Sequence, residues 1–193
     1  MPRRARLPLV ALLCAAAVAP VLAGCGGGGV HHGTFTDCAK VGRPAVATDP
    51  TGDVSGATRG ASAAPQADLV SLRIARGGGR LCVEFRTAGP IAPSAAYAVA
   101  LRPTDRDTPL VQLEAIVLAA AAPHAQLSAG VGKAFQDLDA TVGIRGDRLT
   151  ILVGRSEFSR YGVAPIFDAS RYQARAAVVT KDDVRLGDCL PGC

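Results

Sequence analysis

The chain has 193 residues, 21 Lys and Arg against 16 Asp and Glu, a formal net charge of +5, 49% hydrophobic residues, six cysteines and no tryptophan. Three of the 21 basic residues, Arg3, Arg4 and Arg6, fall in the first 24 positions, so the remainder balances 18 basic groups against 16 acidic ones. A net of about +2 without a basic run is not a nucleic-acid footprint, and a chain of this length holds one ordinary domain and not comfortably two.

The N-terminus reads as a leader. Arg3, Arg4 and Arg6 precede an apolar run over residues 7–22, the length of a signal-peptide core but short for a membrane-spanning helix. The run closes on Leu22-Ala23-Gly24-Cys25, which resembles the lipobox of bacterial lipoproteins. That resemblance implies removal of residues 1–24 as a signal peptide and acylation of Cys25, palmitate included. It also implies residence on the extracytoplasmic face of the bacterial cell membrane. The three acyl chains that such a cysteine receives in many bacteria would exceed the two signals that stable anchoring needs, so the membrane is the expected first partner. Residues 25–42, opening with four glycines at 26–29, read as the anchor and a flexible spacer, and residues 43–193 as the folded domain.

Cys14 lies in the leader and Cys25 takes the lipid, which leaves Cys38, Cys82, Cys189 and Cys193 in a compartment that permits oxidation. Four cysteines suggest two disulfides in one of three pairings. Cys82 sits between Leu81 and Val83 in an alternating run and should point away from the core. A bridge from it to Cys38 or to the tail would fasten a terminus. A zinc site would want two closely spaced pairs, and only Cys189 and Cys193 are close.

The body alternates with the period of strands. After a candidate strand at residues 46–49, Val70, Leu72 and Ile74 alternate with Ser71 and Arg73. The Gly77-Gly78-Gly79 turn leads into Leu81, Val83 and Phe85, which makes a hairpin with one buried face. Residues 97–101 and 111–117 follow. Ala119 to Ala122 could propagate a helix, but Pro123 cuts it short and the preceding residues keep a period of two. Val142 and Ile144 then pass through Gly146-Asp147, a pair suited to positive φ, into Leu149, Ile151 and Val153, with a last candidate at 174–180. At least seven strands without alternating helices predict an all-β fold, an antiparallel β-sandwich of jelly-roll or immunoglobulin-like kind.

In order of elements, Asp49-Pro50-Thr51-Gly52-Asp53, Ala67-Asp68-Leu69-Val70-Ser71, the glycine hairpin, Tyr97-Ala98-Val99-Ala100-Leu101 and Asp147-Arg148-Leu149-Thr150-Ile151 resemble the DOMON-like and carbohydrate-binding-module-like sandwiches. The resemblance runs from about Pro44 to Pro191. It implies a sandwich found beside exported enzymes or alone on lipoproteins, with calcium, haem or sugar among the ligands of the wider group.

Each ligand class meets its own residues. Asp49 and Asp53 flank a tight turn and Asp68 opens the next strand, so with Asp182-Asp183 they would supply hard oxygens to calcium if the loops converge. Ordinary turn chemistry explains the same aspartates. A glycan would want flat rings, and the one aromatic concentration is Phe158, Tyr161, Phe167 and Tyr172, flanked by Arg160 and Arg171. Such rings also serve to plug the end of a sandwich. Haem lacks axial donors, since Met1 leaves with the leader, His31 and His32 lie in the spacer, and His124 follows Pro123 in an expected loop. No nucleophile elbow, metalloprotease helix or phosphate loop is present, and Ser156, Ser159, Glu84, Glu114 and Glu157 form no marked pair. The expectation is a lipid-anchored, non-catalytic structural or interaction module without a resident cofactor, its partner a protein or glycan. The alternative is a calcium- or glycan-binding module in the strict sense, and a hydrolase ranks below both.

Overall fold

The computed structural model describes residues 33–52, 54, 65–102, 110–130, 132–168, 171–179 and 185–190. Eleven strands are present among them, in two antiparallel sheets. The five-stranded sheet runs β1 (Ala45–Thr48), β2 (Leu69–Gly77), β3 (Arg80–Thr87), β9 (Arg148–Gly154), β8 (Ala140–Arg145). The six-stranded sheet runs β11 (Arg185–Leu190), β10 (Arg171–Val179), β4 (Ala95–Arg102), β5 (Val111–Val117), β6 (His124–Ala129), β7 (Gln136–Asp137). Strands β4, β5 and β6 follow one another and β10 returns beside β4, the Greek-key arrangement common in sandwiches.

The alternation seen in the sequence becomes the two faces of each sheet. Leu72 and Ile74, Leu81, Val83 and Phe85, Val142 and Ile144, and Leu149, Ile151 and Val153 turn inward from one sheet. Tyr97, Val99 and Leu101, then Val111, Leu113, Ala115 and Val117, meet them from the other. Each such Leu, Ile or Phe contributes roughly 1.5–3 kcal/mol by burial. Phe85 and Tyr97 join the sheets with ring centroids 5.9 Å apart, and the Tyr97 hydroxyl donates to the Gln66 carbonyl at 2.6 Å. Burial raises the phenol's pKa well above its ordinary value.

The β2–β3 hairpin turns on Gly78 and Gly79, both at positive φ (56° and 70°), as a two-residue turn of primed type demands. At the β8–β9 hairpin only Gly146 has positive φ (60°), and Asp147 keeps ordinary backbone geometry, against the expectation that both would need it. Three further elements depart from the sequence reading. His124 opens strand β6 rather than sitting in a loop, because Ala125 and Leu127 have a core face waiting for them. Strand β11 pairs with β10 although its composition gives little strand signal. The aromatic-rich stretch forms a short helix, α1 (Arg155–Arg160), and a 3-10 turn, Ala164–Asp168.

The folded part also begins earlier than the spacer composition suggests. Residues 33–42 lie across the outer face of the five-stranded sheet as a strap. A Cβ on Gly143 would run into the Thr34 carbonyl and the Phe35 backbone, and one on Gly42 into the Arg76 carbonyl. The strap therefore crosses from β8 to β2 in backbone contact at both ends. Between them, Cys38 and Cys82 form a disulfide with Cα atoms 5.4 Å apart.

Candidate functional site

The strap covers a buried carboxylate. Outward-facing residues of β2, β3, β9 and β8 form a cross-strand row, Arg73, Glu84, Thr150 and Gly143. The Thr36 amide donates to Thr150 Oγ1 at 3.4 Å, while Cys82, two residues from Glu84 on the same face, carries the bridge. Glu84 is 1% exposed, with Arg73 at 3.7 Å and Arg148 at 4.0 Å, and neither of its oxygens has a hydrogen-bond partner. The guanidiniums are about one-third exposed, so the charge is shared between a closed position and two open ones. At the strap's entry Arg145 stacks on the Phe35 ring, 4.3 Å from its centroid. Nearby, Arg86 donates to Asp147 at 2.8 Å. That hydrogen bond and the adjacent charge hold the Asp147 carboxyl below its ordinary pKa and raise that of Arg86.

The acidic turn is partly assembled. Asp68 is buried, and its Oδ2 accepts from the Gly52 amide at 2.7 Å while its Oδ1 has no hydrogen-bond partner. Asp49 lies at the end of β1, its amide donating to the Val70 carbonyl at 3.0 Å, which brings its loop beside the segment bearing Asp68. Asp53, Asp182 and Asp183 lie outside the described residues, and among the described residues no three potential metal ligands cluster.

The aromatic group closes one end of the sandwich. Phe158 and Phe167 are buried with centroids 6.3 Å apart, and Tyr161 and Tyr172 pack against the core from half-buried positions. The Tyr161 hydroxyl donates to the Asp137 carbonyl at 2.8 Å, and Arg155 covers the outer face of Phe167. Arg76 Nε donates to the Phe167 carbonyl, and burial there lowers its pKa. The structure thus gathers the four rings, two of them inside the core. Cys38 and Cys82 are brought together. Cys189 stands opposite Arg175 in the β10–β11 register, and Cys193 and Cys25 lie outside the described residues.

Sequence reasoning missed the outer face of the six-stranded sheet. Arg175, Ala98, Glu114 and Gln126 form one cross-strand row, and Gln173, Ala100, Gln112 and Ser128 the next. The alanines make a low floor between longer polar walls, leaving a depression of about 170 Å³. Gln126 Nε2 donates to Glu114 Oε2 at 2.6 Å. The depression is below the size that encloses a small ligand, so it suits something laid along the sheet. The signal was available as alanine at alternate positions 96, 98 and 100, opposite the core residues Tyr97, Val99 and Leu101. A larger open recess of about 370 Å³, beside Arg80, Thr141, Ser156 and Glu157, has no histidine in its lining.

In comparisons with known proteins, the chain matches no family model, no curated protein and no solved structure.

Proposed function

We propose that this protein is a lipid-anchored extracytoplasmic lipoprotein whose β-sandwich is a non-catalytic interaction module held at the membrane surface. The observation that carries the reading is the strap. The chain that follows Cys25 is fastened to the sandwich at Cys38–Cys82, a bond that suits an oxidising compartment outside the cytoplasm. The leader ending Leu22-Ala23-Gly24-Cys25 supports acylation of Cys25, and the alanine-floored face of the six-stranded sheet supports a partner laid along the strands. Blocking lipoprotein signal peptidase with globomycin, or substituting Cys25→Ser, is expected to leave unprocessed precursor and abolish acyl labelling. Unchanged processing and membrane partition in both would sink the anchor. For the module, the full chain on vesicles is probed against arrays of cell-envelope glycans and extended peptides. A signal lost in Ala100→Arg without a change in melting temperature supports the face, and one indifferent to that substitution removes it.

A second reading, calcium binding at the acidic turn, is favoured by one observation, the buried Asp68 Oδ1 without a hydrogen-bond partner. Asp49 and Asp68 would hold the ion, with Asp53 as a further carboxylate from the same turn. An ion bound only by the folded state raises the melting temperature once its concentration is well above the dissociation constant. Millimolar calcium after EDTA should therefore raise the midpoint of the wild type and not of Asp68→Asn. Equal melts return the aspartates to turn chemistry.

A further inference from the structure

We infer that the outer face of the six-stranded sheet binds an extended acidic polypeptide, which lies along β4, meets Arg175 with a carboxylate and seats an apolar side chain, four residues away, in a recess beside Leu110. The inference deepens the reading of this face as an interaction surface and rests on it, but not on the acylation of Cys25. The alanine-floored depression of about 170 Å³ shares Leu110 and Gln112 with a second depression of about 210 Å³, lined further by Gly130, Gly132, Lys133 and Phe135. A cavity of about 150 Å³ takes a benzene ring, so one leucine or phenylalanine side chain fits the second depression. Its wall is preformed. The buried Ser128 hydroxyl donates to the Lys133 carbonyl at 2.9 Å, with the Gly130 carbonyl at 3.1 Å, and the Lys133 amide closes the turn on the Gly130 carbonyl at 3.3 Å. Gly130 and Gly132 hold positive φ (125° and 73°), and the Phe135 ring stands exposed in the lining.

The lining selects a polypeptide. No aromatic ring lies on the alanine floor, where a pyranose would want a flat surface. Gln112 and Gln173 flank that floor, and a carboxamide offers both a donor and an acceptor, as a peptide group requires. Among the described residues, Arg102, Arg175 and Lys133 line the two depressions, no carboxylate does, and none of the three cations makes an ion pair. Of the carboxylates elsewhere on this face, Glu114 accepts from Gln126, and Asp137 lies on β7, four strands from Arg175. Asp105, Asp107, Asp182 and Asp183 lie outside the described residues. The register then fixes the spacing. Arg175 stands opposite Ala98, and Leu110, one step past the Leu101–Val111 pair, is level with Arg102. Four residue steps on β4 separate the two levels, about 14 Å in a strand. In an extended chain residues i and i+4 point to the same side, so a carboxylate at one and an apolar side chain at the other both face the sheet, with the residue midway between them over Ala100.

Labelled short peptides of serine and threonine, carrying one aspartate and one leucine four residues apart, are titrated with the full chain and followed by fluorescence anisotropy. Affinity should fall at least about tenfold when the leucine becomes alanine, the scale of burying that side chain. It should fall as far when the spacing becomes three or five, which turns one of the two side chains away from the sheet. Ala100→Arg and Leu110→Asp should abolish binding, and Phe135→Asp, at an exposed position, tests the same recess should Leu110→Asp fail to fold. Arg175→Glu should weaken binding several-fold and flatten its dependence on salt. Peptides bound without regard to the leucine or its spacing, yet lost in Ala100→Arg, overturn this inference and leave the interaction face standing. Neutral glycans held there in place of any peptide have the same meaning. Affinity unchanged in Arg175→Glu overturns the acidic partner. If neither peptides nor glycans bind in a manner sensitive to Ala100→Arg, the interaction face falls and this inference with it.

Discussion

Replacing Cys38 and Cys82 together with alanine removes the bridge without disturbing another cysteine. The two residues are 44 apart in sequence. For a loop of that size the chain-entropy relation gives about 13 cal/mol/K of unfolded-state freedom, or about 4 kcal/mol at 25 °C. Both cysteines are buried among Ala75, Val41 and Leu152, so truncation adds a packing loss on the order of 1 kcal/mol. Beyond the bridge the strap lies in backbone contact with β8 and β2 at its two ends, and the Thr36 amide reaches Thr150 only at 3.4 Å beside the Arg145–Phe35 contact, so the bridge is its one covalent fastening. Urea unfolding should therefore show a midpoint lowered, relative to the oxidised wild type, by about 2.5 M for an m near 2 kcal/mol/M. Amides of residues 33–42 should exchange freely in the variant. A midpoint lowered by less than about 0.5 M, or roughly 1 kcal/mol, would refute the argument, because the strap would then be held by contacts other than the bridge.

Phe158→Ala empties a position inside the core and should cost about 3–5 kcal/mol; a thermal melt unchanged within about 1 kcal/mol would mean that the ring does not plug the sandwich. Asp147 is held below its ordinary pKa by the hydrogen bond and charge of Arg86. The unfolded chain thus takes up its proton first as pH falls, and the stabilisation from this pair, complete above the unfolded value near 4, is lost as pH drops through the folded value. Asp147→Asn should flatten that acid limb in melts between pH 7 and 3, by a small amount because both side chains are more than one-third exposed. An unchanged limb would assign the acid sensitivity to other carboxylates. Glu84→Gln should have different costs in the bridged protein and in the double alanine variant, with a coupling of at least about 0.5 kcal/mol, because the strap decides whether that carboxylate meets water. Additive costs would separate the ion pairs from the strap.

The sandwich was legible because its strands are half-buried. Wherever a strand has one wet face, as in Val111–Val117 with Gln112 and Glu114 outward, the period of two is plain and the expected bounds match the observed ones. Legibility fails where the wet face is missing or the apolar face is made of small residues. His124–Ala129 buries Ala125 and Leu127 and reads as loop because Pro123 and an alanine run come just before it. Strand β11 offers Gly187 and Asp188, poor strand formers placed there by pairing with β10. The aromatic segment could be read as a plug or as a ligand loop, since rings supply buried area in either role. Burial of Phe158 and Phe167, with Tyr161 and Tyr172 at the margin, places the group against the core.

Composition misleads most at residues 33–42, for an instructive reason. Glycine in such a segment is compatible with a free chain, but it is equally what a chain needs to lie flat on a sheet, where a Cβ would strike a carbonyl. Gly33 and Gly42 on the strap, with Gly143 and Gly77 beneath, are close approaches of that second kind. Only a long-range partner distinguishes the two uses, and here the partner is Cys82. Its position among outward-facing residues of an alternating strand already required something to cover it. Glu84, on the same face of the same strand, is buried by the same cover. A cysteine and a carboxylate two residues apart, both outward from a sheet and both sealed, therefore imply a third layer above that sheet, and the strap is that layer.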